Sequence, residues 1–395
     1  MVLKRRLLAA ALVITTLLTG GCWDRQEIEN RGYVLGTAVD HVSPEPKGRY
    51  DLDRAFQQAG TRRYRLSYEL PKFKKGDSGE KSASSNESIV YSAEGESIFA
   101  ASRAIASKLQ LRIFLEDNQV LLISEEVARE GIRDMFDVFA RYPGMRRRAV
   151  IFVTKGRAED FIKRKSKAGV INSQGYPKLA TTVKKVPTMA SVSEFGYFSE
   201  ALRSKQGFSA PVVYMEKDEV KAAGAALFNS KGQMVGIADE YETVGGKIWR
   251  NKLGQGAIVV AHPDKSETIV VFEMAESKTT VKPEFSGDTV RFIVEGEISG
   301  SIGENMPMEE KPFSDEESEN AIAQAVAAEL TNHTYAILTK VQTIHADTFA
   351  LGDLIRRKNP KYWEKIKDRW EEEIFPAVEA DVMIKVKIIG SGMTF

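Results

Sequence analysis

The side chains most often used for catalysis and metal binding are few in this chain, and their spacing does not bring them together. The chain contains one cysteine, Cys22, and four histidines, His41, His262, His333 and His345. No two histidines are spaced as a metal-binding pair, and the HExxH, CxxC and G-x-S-x-G patterns are absent, as is a complete phosphate-binding loop. The sequence therefore predicts a protein that is not an enzyme and that uses neither a metal ion nor a cofactor.

Three weaker candidates for a chemical site have simpler interpretations. Gly254-Gln255-Gly256 begins like a dinucleotide-binding turn but lacks the third glycine, so a tight bend before a strand is favoured. His333 falls on the apolar face of a predicted helix, which favours a core or subunit-contact position over a catalytic base. The acidic stretch from residue 304 to 319 lacks the D-x-[DN]-x-[DN]-G spacing of a calcium loop, and we interpret it as a solvated linker.

The chemistry of Cys22 depends on its flanks, because a lone cysteine has no partner for an internal disulfide. Basic residues 4–6 are followed by an apolar run from residue 7 to 18 and by the small residues Thr19, Gly20 and Gly21. This order is typical of an export signal. The apolar run is too short for a membrane span, which needs roughly 20 apolar residues.

Small residues directly before a cysteine resemble the lipobox of bacterial lipoproteins, although Thr19 stands where leucine is usual. The resemblance implies that residues 1–21 are a lipoprotein signal peptide, that cleavage falls between Gly21 and Cys22, and that the Cys22 thiol carries a diacylglycerol. Whether the new amino terminus is also N-acylated is open. An uncleaved anchor or a buried free thiol are the alternatives. Two acyl chains hold a protein stably on a membrane, whereas one chain holds it marginally.

The composition excludes one large class of partners. Loss of residues 1–21 would leave 53 basic and 55 acidic residues, so the mature chain would carry no excess of positive charge. A nucleic-acid binder needs a strong basic excess, and we therefore predict no nucleic-acid partner. An apolar content of 43% and a charged content of 28% are typical of a globular protein, and the length predicts two or three domains.

Strands and helices alternate in the first half of the chain. Strands are predicted at 33–41, 62–70, 118–124 and 148–156, where β-branched and aromatic residues are frequent. The polar stretch 72–88 predicts a solvated loop. Two helices are predicted between the strands by apolar residues at steps of three and four, namely Ile98, Ala101, Ile105 and Leu109, then Ala128, Ile132, Met135, Phe136 and Phe139. This alternation predicts an α/β domain over residues 22–195.

The second half predicts two further domains. Residues 165–210 contain Gly and Pro punctuators and predict an irregular hinge, and residues 196–285 predict a β-rich middle domain with a hairpin at 229–232. Residues 286–395 predict an α+β domain in which a long helix, from about 315 to 345, packs on an antiparallel sheet. The stripe that predicts this helix is Ile322, Val326, Leu330, His333, Ile337, Val341 and Ile344. For the full chain we therefore predict a lipid-anchored, three-domain protein of mixed α/β and α+β class.

The start of the mature chain closely resembles a known family. Cys22-Trp23-Asp24-Arg25-Gln26-Glu27-Ile28, followed by a glycine-bearing strand that ends in an aspartate, is similar to the start of the Ger(x)C spore germination lipoproteins. The motif positions are Cys22, Trp23, Asp24, Glu27, Gly32, Gly36 and Asp40. Residues 224–228 and 234–236 resemble the family's middle hairpin. Its carboxy-terminal pattern is matched by Gln342, Asp347, Phe349, Gly352, Pro360, Trp363 and Trp370.

The resemblance implies a role that the residues alone do not. Members of this family are the C subunits of nutrient germinant receptors, on the outer face of the inner membrane of dormant spores. They act with an A subunit and a multispanning B subunit, and they have no ascribed catalytic activity. We therefore expect membrane attachment through the lipid, A and B subunits as partners, and no assigned small-molecule ligand.

Two functions from other classes are the alternatives. A solute-binding lipoprotein of a membrane transporter shares the lipobox, but such proteins have two similar doubly wound lobes around a cleft. The predicted long helix and antiparallel sheet do not fit that architecture. An envelope hydrolase is the other alternative, and the absence of catalytic motifs gives it no support.

Overall fold

The computed structural model describes residues 31–42, 63–75, 81–109, 111–142, 144–164, 172–182, 185–191, 193–262, 265–287, 289–306 and 316–390. The strands of this part are β1 (Arg31–Tyr33), β2 (Gly36–His41), β3 (Tyr64–Lys75), β4 (Lys81–Gly95), β5 (Arg112–Phe114), β6 (Val120–Ser124), β7 (Val150–Thr154), β8 (Ser193–Glu194), β9 (Phe208–Glu216), β10 (Glu219–Phe228), β11 (Met234–Ala238), β12 (Gly256–His262), β13 (Lys265–Ser286), β14 (Thr289–Met306) and β15 (Glu379–Gly390).

Ten α-helices lie between these strands in the described residues. They are α1 (Ile98–Leu109), α2 (Glu125–Glu130), α3 (Arg133–Arg141), α4 (Ala158–Lys163), α5 (Asn172–Thr182), α6 (Phe195–Arg203), α7 (Glu240–Trp249), α8 (Glu316–Thr343), α9 (Leu351–Lys358) and α10 (Pro360–Ile366). Short 3₁₀ and π turns continue α10 towards β15, covering Lys367–Arg369, Trp370–Ile374 and Phe375–Ala377.

The larger sheet has nine strands and mixed direction. Its order is β11-β10-β9-β7-β6-β2-β3-β4, with β8 paired to β7. The central strands β2, β6, β7 and β9 are parallel, and the outer pairs are antiparallel. Both β6 and β7 are buried along their whole length. Continuous apolar runs are expected where helices cover both faces of a parallel sheet.

Alternate residues of the central strands face two different cores. Leu121 and Ile123 join the core beneath α1, α3 and α6, whereas Val120 and Leu122 join the core beneath α4 and α5. This alternation follows from the two-residue period of a strand. The amino-terminal α/β architecture is therefore three layers, with the sheet in the middle.

The four-stranded sheet has the order β12-β13-β14-β15, and β1 pairs with β5 in parallel as a separate two-stranded sheet. Strands β12, β13 and β14 are antiparallel, so the antiparallel carboxy-terminal sheet is confirmed. The last strand differs from its neighbours, because β15 pairs with β14 in parallel. A parallel pair needs a long crossover connection, and here α8, α9 and α10 provide it.

The long helix of the crossover is confirmed as α8. Its buried side contains Ile322, Val326, Leu330, His333, Ile337 and Val341 of the predicted stripe, whereas Ile344 follows the end of the helix and is partly buried. These side chains pack in one core with β12–β15 and with α7. At 1.5 Å per residue the helix is about 42 Å long, and it therefore spans the full width of the sheet.

The strands of the predicted middle domain do not form a sheet of their own. Residues 208–238 extend the nine-stranded sheet, and residues 256–285 belong to the four-stranded sheet. Main-chain hydrogen bonding therefore divides the predicted middle domain between two sheets. The predicted domain boundaries at residues 195 and 285 remain predictions, and they coincide with the limits of neither sheet. The hairpin at 229–232 is present between β10 and β11.

Two other local predictions differ from the structure. Part of the predicted loop 72–88 is strand, since β3 and β4 form an antiparallel pair that runs from Lys75 opposite Lys81 to Tyr64 opposite Gly95. Part of the predicted hinge 165–210 is helical, in α5 and α6. Pro177 lies inside α5, where the buried side chains of Tyr176 and Ala180 hold the segment against the sheet. Tertiary packing outweighs local propensity at these positions.

The crossing of α7 and α8 is unusually close. A Cβ atom at Gly245 would overlap the main-chain carbonyl oxygen of His333. One turn later, Trp249 Nε1 donates a hydrogen bond to the main-chain carbonyl of Thr334 at 3.1 Å. Its indole ring stacks on Phe349, with the ring centroids 5.0 Å apart. The two helix backbones therefore meet without an intervening side chain.

Substitution of two neighbouring glycines tests this crossing. We expect Gly245→Ala to lower the free energy of unfolding by about 3 kcal/mol, because the helices must separate. Gly246→Ala should raise it by about 0.5–1 kcal/mol, since alanine favours helix and its Cβ would lie 3.8 Å from the nearest atom. Urea unfolding followed by tryptophan fluorescence measures both. Equal effects at the two positions would contradict the direct backbone contact.

Candidate functional site

Asp40, the last motif residue of the amino-terminal pattern, caps a helix from a distant strand. Its side chain is buried near the end of β2, and Oδ1 and Oδ2 accept hydrogen bonds from the main-chain N–H groups of Ala158 and Glu159, at 2.6 and 2.9 Å. These N–H groups begin α4 and have no partner within the helix. Burial raises the pKa of Asp40 to about 6, although both hydrogen bonds act to lower it.

Glu159, the residue held by Asp40, is the centre of a buried ionic cluster. Its carboxylate is 1% exposed and accepts two hydrogen bonds from Arg65, from Nε at 2.7 Å and from Nη2 at 3.1 Å. Ser92 Oγ and Lys163 Nζ also contact it, each at 2.6 Å, and Arg157 Nη2 donates to it. Burial alone would raise the pKa of Glu159, but the hydrogen bonds from Arg65, Lys163 and Ser92 outweigh burial and lower it to about 2.

The motif glycines permit close contact around the same strand. A Cβ at Gly36 would overlap the hydroxyl oxygen of Ser173 at the start of α5. Ser173 in turn donates to the buried carboxylate of Glu69, from its hydroxyl and from its main-chain N–H at 2.9 Å. A Cβ at Gly32 would lie 3.1 Å from Leu70. Gly36 and Asp40 therefore serve the docking of helices on β2, whereas Gly32 allows the close approach of Leu70 of β3 to β1.

The carboxy-terminal pattern forms a second buried cluster. Asp347 Oδ1 accepts from the N–H of Leu351 at 3.0 Å, and Oδ2 accepts from the N–H of Gly352 at 2.8 Å and from Trp370 Nε1 at 3.0 Å. Burial raises the pKa of Asp347. A Cβ at Gly352 would lie 2.8 Å from the indoles of both Trp363 and Trp370, so only glycine fits there without displacement.

The other positions of that pattern have separate roles. Gln342 Nε2 donates to the carbonyl oxygens of Phe375 and Val378, at 3.1 and 2.7 Å, and so joins α8 to the start of β15. Phe349 stacks on the indole of α7. Pro360 occupies the first turn of α10, where its missing N–H costs nothing.

Within the described ranges, no three His, Cys, Asp or Glu side chains are placed to hold a metal ion. His333 is buried, with Nε2 2.9 Å from Glu329 Oε1 and its ring 5.0 Å from that of Tyr241. It occupies a packing position between α7 and α8. In the described part of the chain, no helix combines the length and the apolar character that a membrane span needs.

The sequence pattern did not identify Arg65 or Glu159 as members of a site. Each lies in an ordinary charged context, and they are separated by 94 residues. Only the sheet order, which places β3 beside β2 and next to the start of α4, brings them together.

Comparison with known proteins identifies the family. Residues 24–215 match the family described as the spore germination protein N-terminal domain, and residues 223–392 match the family described as spore germination B3/GerAC like, C-terminal. These two matches and the fold define a spore germination protein. The chain belongs to the GerC-type family of spore germination proteins.

Relatives and one solved structure agree with this assignment. Spore germination protein YndF of Bacillus subtilis is 24% identical over 98% of this chain and 96% of its own length. Spore germination protein KC of the same organism is 24% identical over 99% and 97%. The crystal structure of the GerBC protein matches with a TM-score of 0.57 and 19% identity, over 93% of this chain and all of that chain. The mixed α+β fold is shared.

The predicted anchor lies outside the described residues. This holds for Cys22, Trp23, Asp24 and Glu27, so their roles remain predictions. The three motif residues that the structure describes, Gly32, Gly36 and Asp40, lie along β1 and β2 in the buried interior.

The raised pKa of Asp40 predicts an unusual dependence of stability on pH. The folded protein holds this proton more tightly than the unfolded chain, so ionisation between pH 4 and 6 costs stability. We expect the unfolding free energy of the wild type to fall, relative to that of Asp40→Asn, by up to about 3 kcal/mol as the pH rises from about 4 to 6.5. Urea titrations across this range measure the difference.

At pH 4 the folded wild type holds Asp40 as a neutral carboxyl, whose acceptors resemble those of an amide, so the two proteins should then differ by no more than about 1 kcal/mol. A constant gap between the two proteins from pH 4 to 6.5 would contradict the prediction.

Proposed function

We propose that this protein is a non-catalytic, lipid-anchored subunit of a nutrient germinant receptor, required for spore germination in response to nutrients. The observation that carries the proposal is the match to spore germination families over both halves of the chain, from residue 24 to 215 and from 223 to 392. The partners would be the A subunit and the multispanning B subunit of the receptor. The location would be the outer face of the spore inner membrane.

The short distance in sequence between Cys22 and β1 supports this arrangement. Nine residue steps separate Cys22 from Arg31, which begins the first described strand. A fully extended chain of this length reaches about 30 Å. A diacylglycerol on Cys22 would therefore hold the nine-stranded sheet close to the bilayer, where membrane-embedded partners are accessible.

A solute-binding lipoprotein remains the alternative class, and its architecture differs from this one. Such proteins have two similar doubly wound lobes. Among the described residues, the nine-stranded sheet has a parallel centre, whereas three of the four strands of the four-stranded sheet are antiparallel. The two halves are dissimilar, which supports the receptor subunit.

Substitution of Cys22 tests the anchor. Cys22→Ala removes the only thiol, so we expect incorporation of labelled fatty acid to be abolished and the protein to leave the membrane fraction. Metabolic labelling and fractionation of sporulating cells measure both. Trp23→Ala is the matched control, because it leaves the thiol in place and should retain the label. Continued labelling of Cys22→Ala would contradict the lipobox assignment.

Deletion of the gene tests the receptor role. Spores that lack the protein should germinate poorly with one set of nutrients, while vegetative growth stays normal, because only the receptor is affected. Loss of optical density after addition of defined nutrients measures the response. The wild-type gene should restore germination and the Cys22→Ala gene should restore it less. An unchanged response to every nutrient in a strain without redundant receptors would contradict the role.

A further inference from the structure

A cavity of about 300 Å³ lies at the junction of the two sheets. One wall comes from α7, and the opposite wall comes from β10 and β11 at the edge of the nine-stranded sheet. Ile337 of α8 and Phe349 close one side, and Tyr197 of α6 lies at another. Junctions between structural units are common places for small-molecule sites.

The face of α7 that lines this cavity is polar, although the helix is mostly buried. Thr243, Gly246, Lys247 and Arg250 all line it, and their spacing places them on one side of a helix. The opposite side, with Val244 and Ile248, packs in the apolar core. A helix that is buried on both sides has no packing reason to carry a hydroxyl and two cations on one of them.

The Thr243 hydroxyl has no hydrogen-bond partner among the described residues. The residue is 4% exposed, and its Oγ1 atom is fully buried. Leaving a buried hydroxyl unsatisfied costs about 1–3 kcal/mol. Such a group in a cavity wall indicates a partner that occupies the cavity.

The two cations next to it hold positions that suit an anion. Lys247 is 4% exposed, and its Nζ donates to the main-chain carbonyls of Val186 and Pro187 at 3.1 and 3.2 Å. Burial lowers the pKa of Lys247 to about 8. Arg250 Nη1 donates to Tyr197 Oη at 2.6 Å and to the carbonyl of Thr348 at 3.0 Å.

The arginine has further donors beyond these two hydrogen bonds. A guanidinium group has five N–H donors in a planar fork, and both hydrogen bonds of Arg250 come from Nη1. Its Nε and Nη2 atoms donate to no described residue. Nε and Nη2 form the edge of the guanidinium group that can donate two parallel hydrogen bonds to one carboxylate.

The acidic residues at the cavity do not cancel this charge. Glu242 contacts Lys340, and its carboxylate also accepts from the N–H of Asp239 at 2.8 Å. Glu194 is exposed at the rim, as is Lys252. The interior of the cavity therefore carries positive charge beside the hydroxyl, and the walls opposite are the apolar side chains of Ala225, Leu227, Ala238, Ile337 and Phe349.

We propose that this cavity binds a small carboxylate with an apolar body, with the carboxylate on Arg250, Lys247 and Thr243 and the body against Leu227, Ile337 and Phe349. The site is independent of the lipid anchor, and it extends beyond the receptor-subunit role. Its volume of about 300 Å³ accommodates a molecule of roughly the size of an aromatic acid.

Binding of benzoate to the full-length protein in detergent tests the proposal. Equilibrium dialysis with radiolabelled benzoate, corrected for empty micelles, should show saturable binding with one site per chain. Its neutral isostere benzamide should bind about 10- to 100-fold more weakly, because it cannot form the charge-assisted hydrogen bonds. The absence of saturable benzoate binding, or equal affinity for the two probes, would overturn the proposal.

Four variants locate the binding within the cavity. Thr243→Val is nearly isosteric, and it should weaken benzoate binding about three- to tenfold while the midpoint of thermal unfolding stays equal or rises. Lys247→Met should weaken binding at least about tenfold. Gly246→Leu should fill the cavity and abolish binding. Lys252→Gln, on the exposed rim, is the matched control and should change affinity by less than about threefold.

The stability readout separates binding from a purely structural role of these side chains. A folded Thr243→Val protein with unchanged benzoate affinity, or a folded Gly246→Leu protein that still binds benzoate, would overturn the assignment of the site. Neither result depends on the anchor or on germination, so failure here is distinct from failure of the proposed function.

Discussion

The architecture depends on carboxylates that are satisfied by main-chain N–H groups, and for Asp40, Glu69 and Glu371 these groups lie far away in sequence. Asp40 holds the start of α4, Glu69 holds Ser173 at the start of α5, and Asp347 holds the start of α9. Glu371 accepts from Ser230 N–H at 3.0 Å and so joins the turn between β10 and β11 to the carboxy-terminal helices. Burial raises the pKa of each of these four carboxyls. A buried acceptor is tolerated only when donors surround it, so each one fixes a connection that hydrophobic packing alone would leave adjustable.

The contact between Glu371 and Ser230 joins the nine-stranded sheet to the four-stranded sheet. Ser230 lies in the turn of the outer hairpin of the nine-stranded sheet, and Glu371 follows α10 in the crossover of the four-stranded sheet. The same hairpin contributes Leu227 to the carboxy-terminal core and Phe228 to the amino-terminal core. The β10–β11 hairpin therefore belongs to both units, which explains why two matched family regions meet beside it. This joint would pass a displacement of one unit to the other.

Part of the fold could be predicted from the sequence, because the spacing of apolar residues indicates which face of a helix or strand is buried. The stripe of α8 correctly predicted the extent of the helix and, apart from Ile344, its buried face. The direction of β15 was not predictable, since a strand with one wet face looks the same in a parallel or an antiparallel pair. The helix around Pro177 was missed because its stability comes from the contact of Tyr176 with the sheet. The cluster around Glu159 was missed because its members meet only through the sheet order.

The parallel pairing of β14 and β15 also has a kinetic meaning. Arg291 pairs with Glu379, and every residue of α8, α9 and α10 lies between them. Closure of so long a segment is slow, because its entropy must be lost before the contacts form. The four-stranded sheet can therefore be completed only late in folding. The strand that completes the fold therefore arrives after the rest of the sheet is in place.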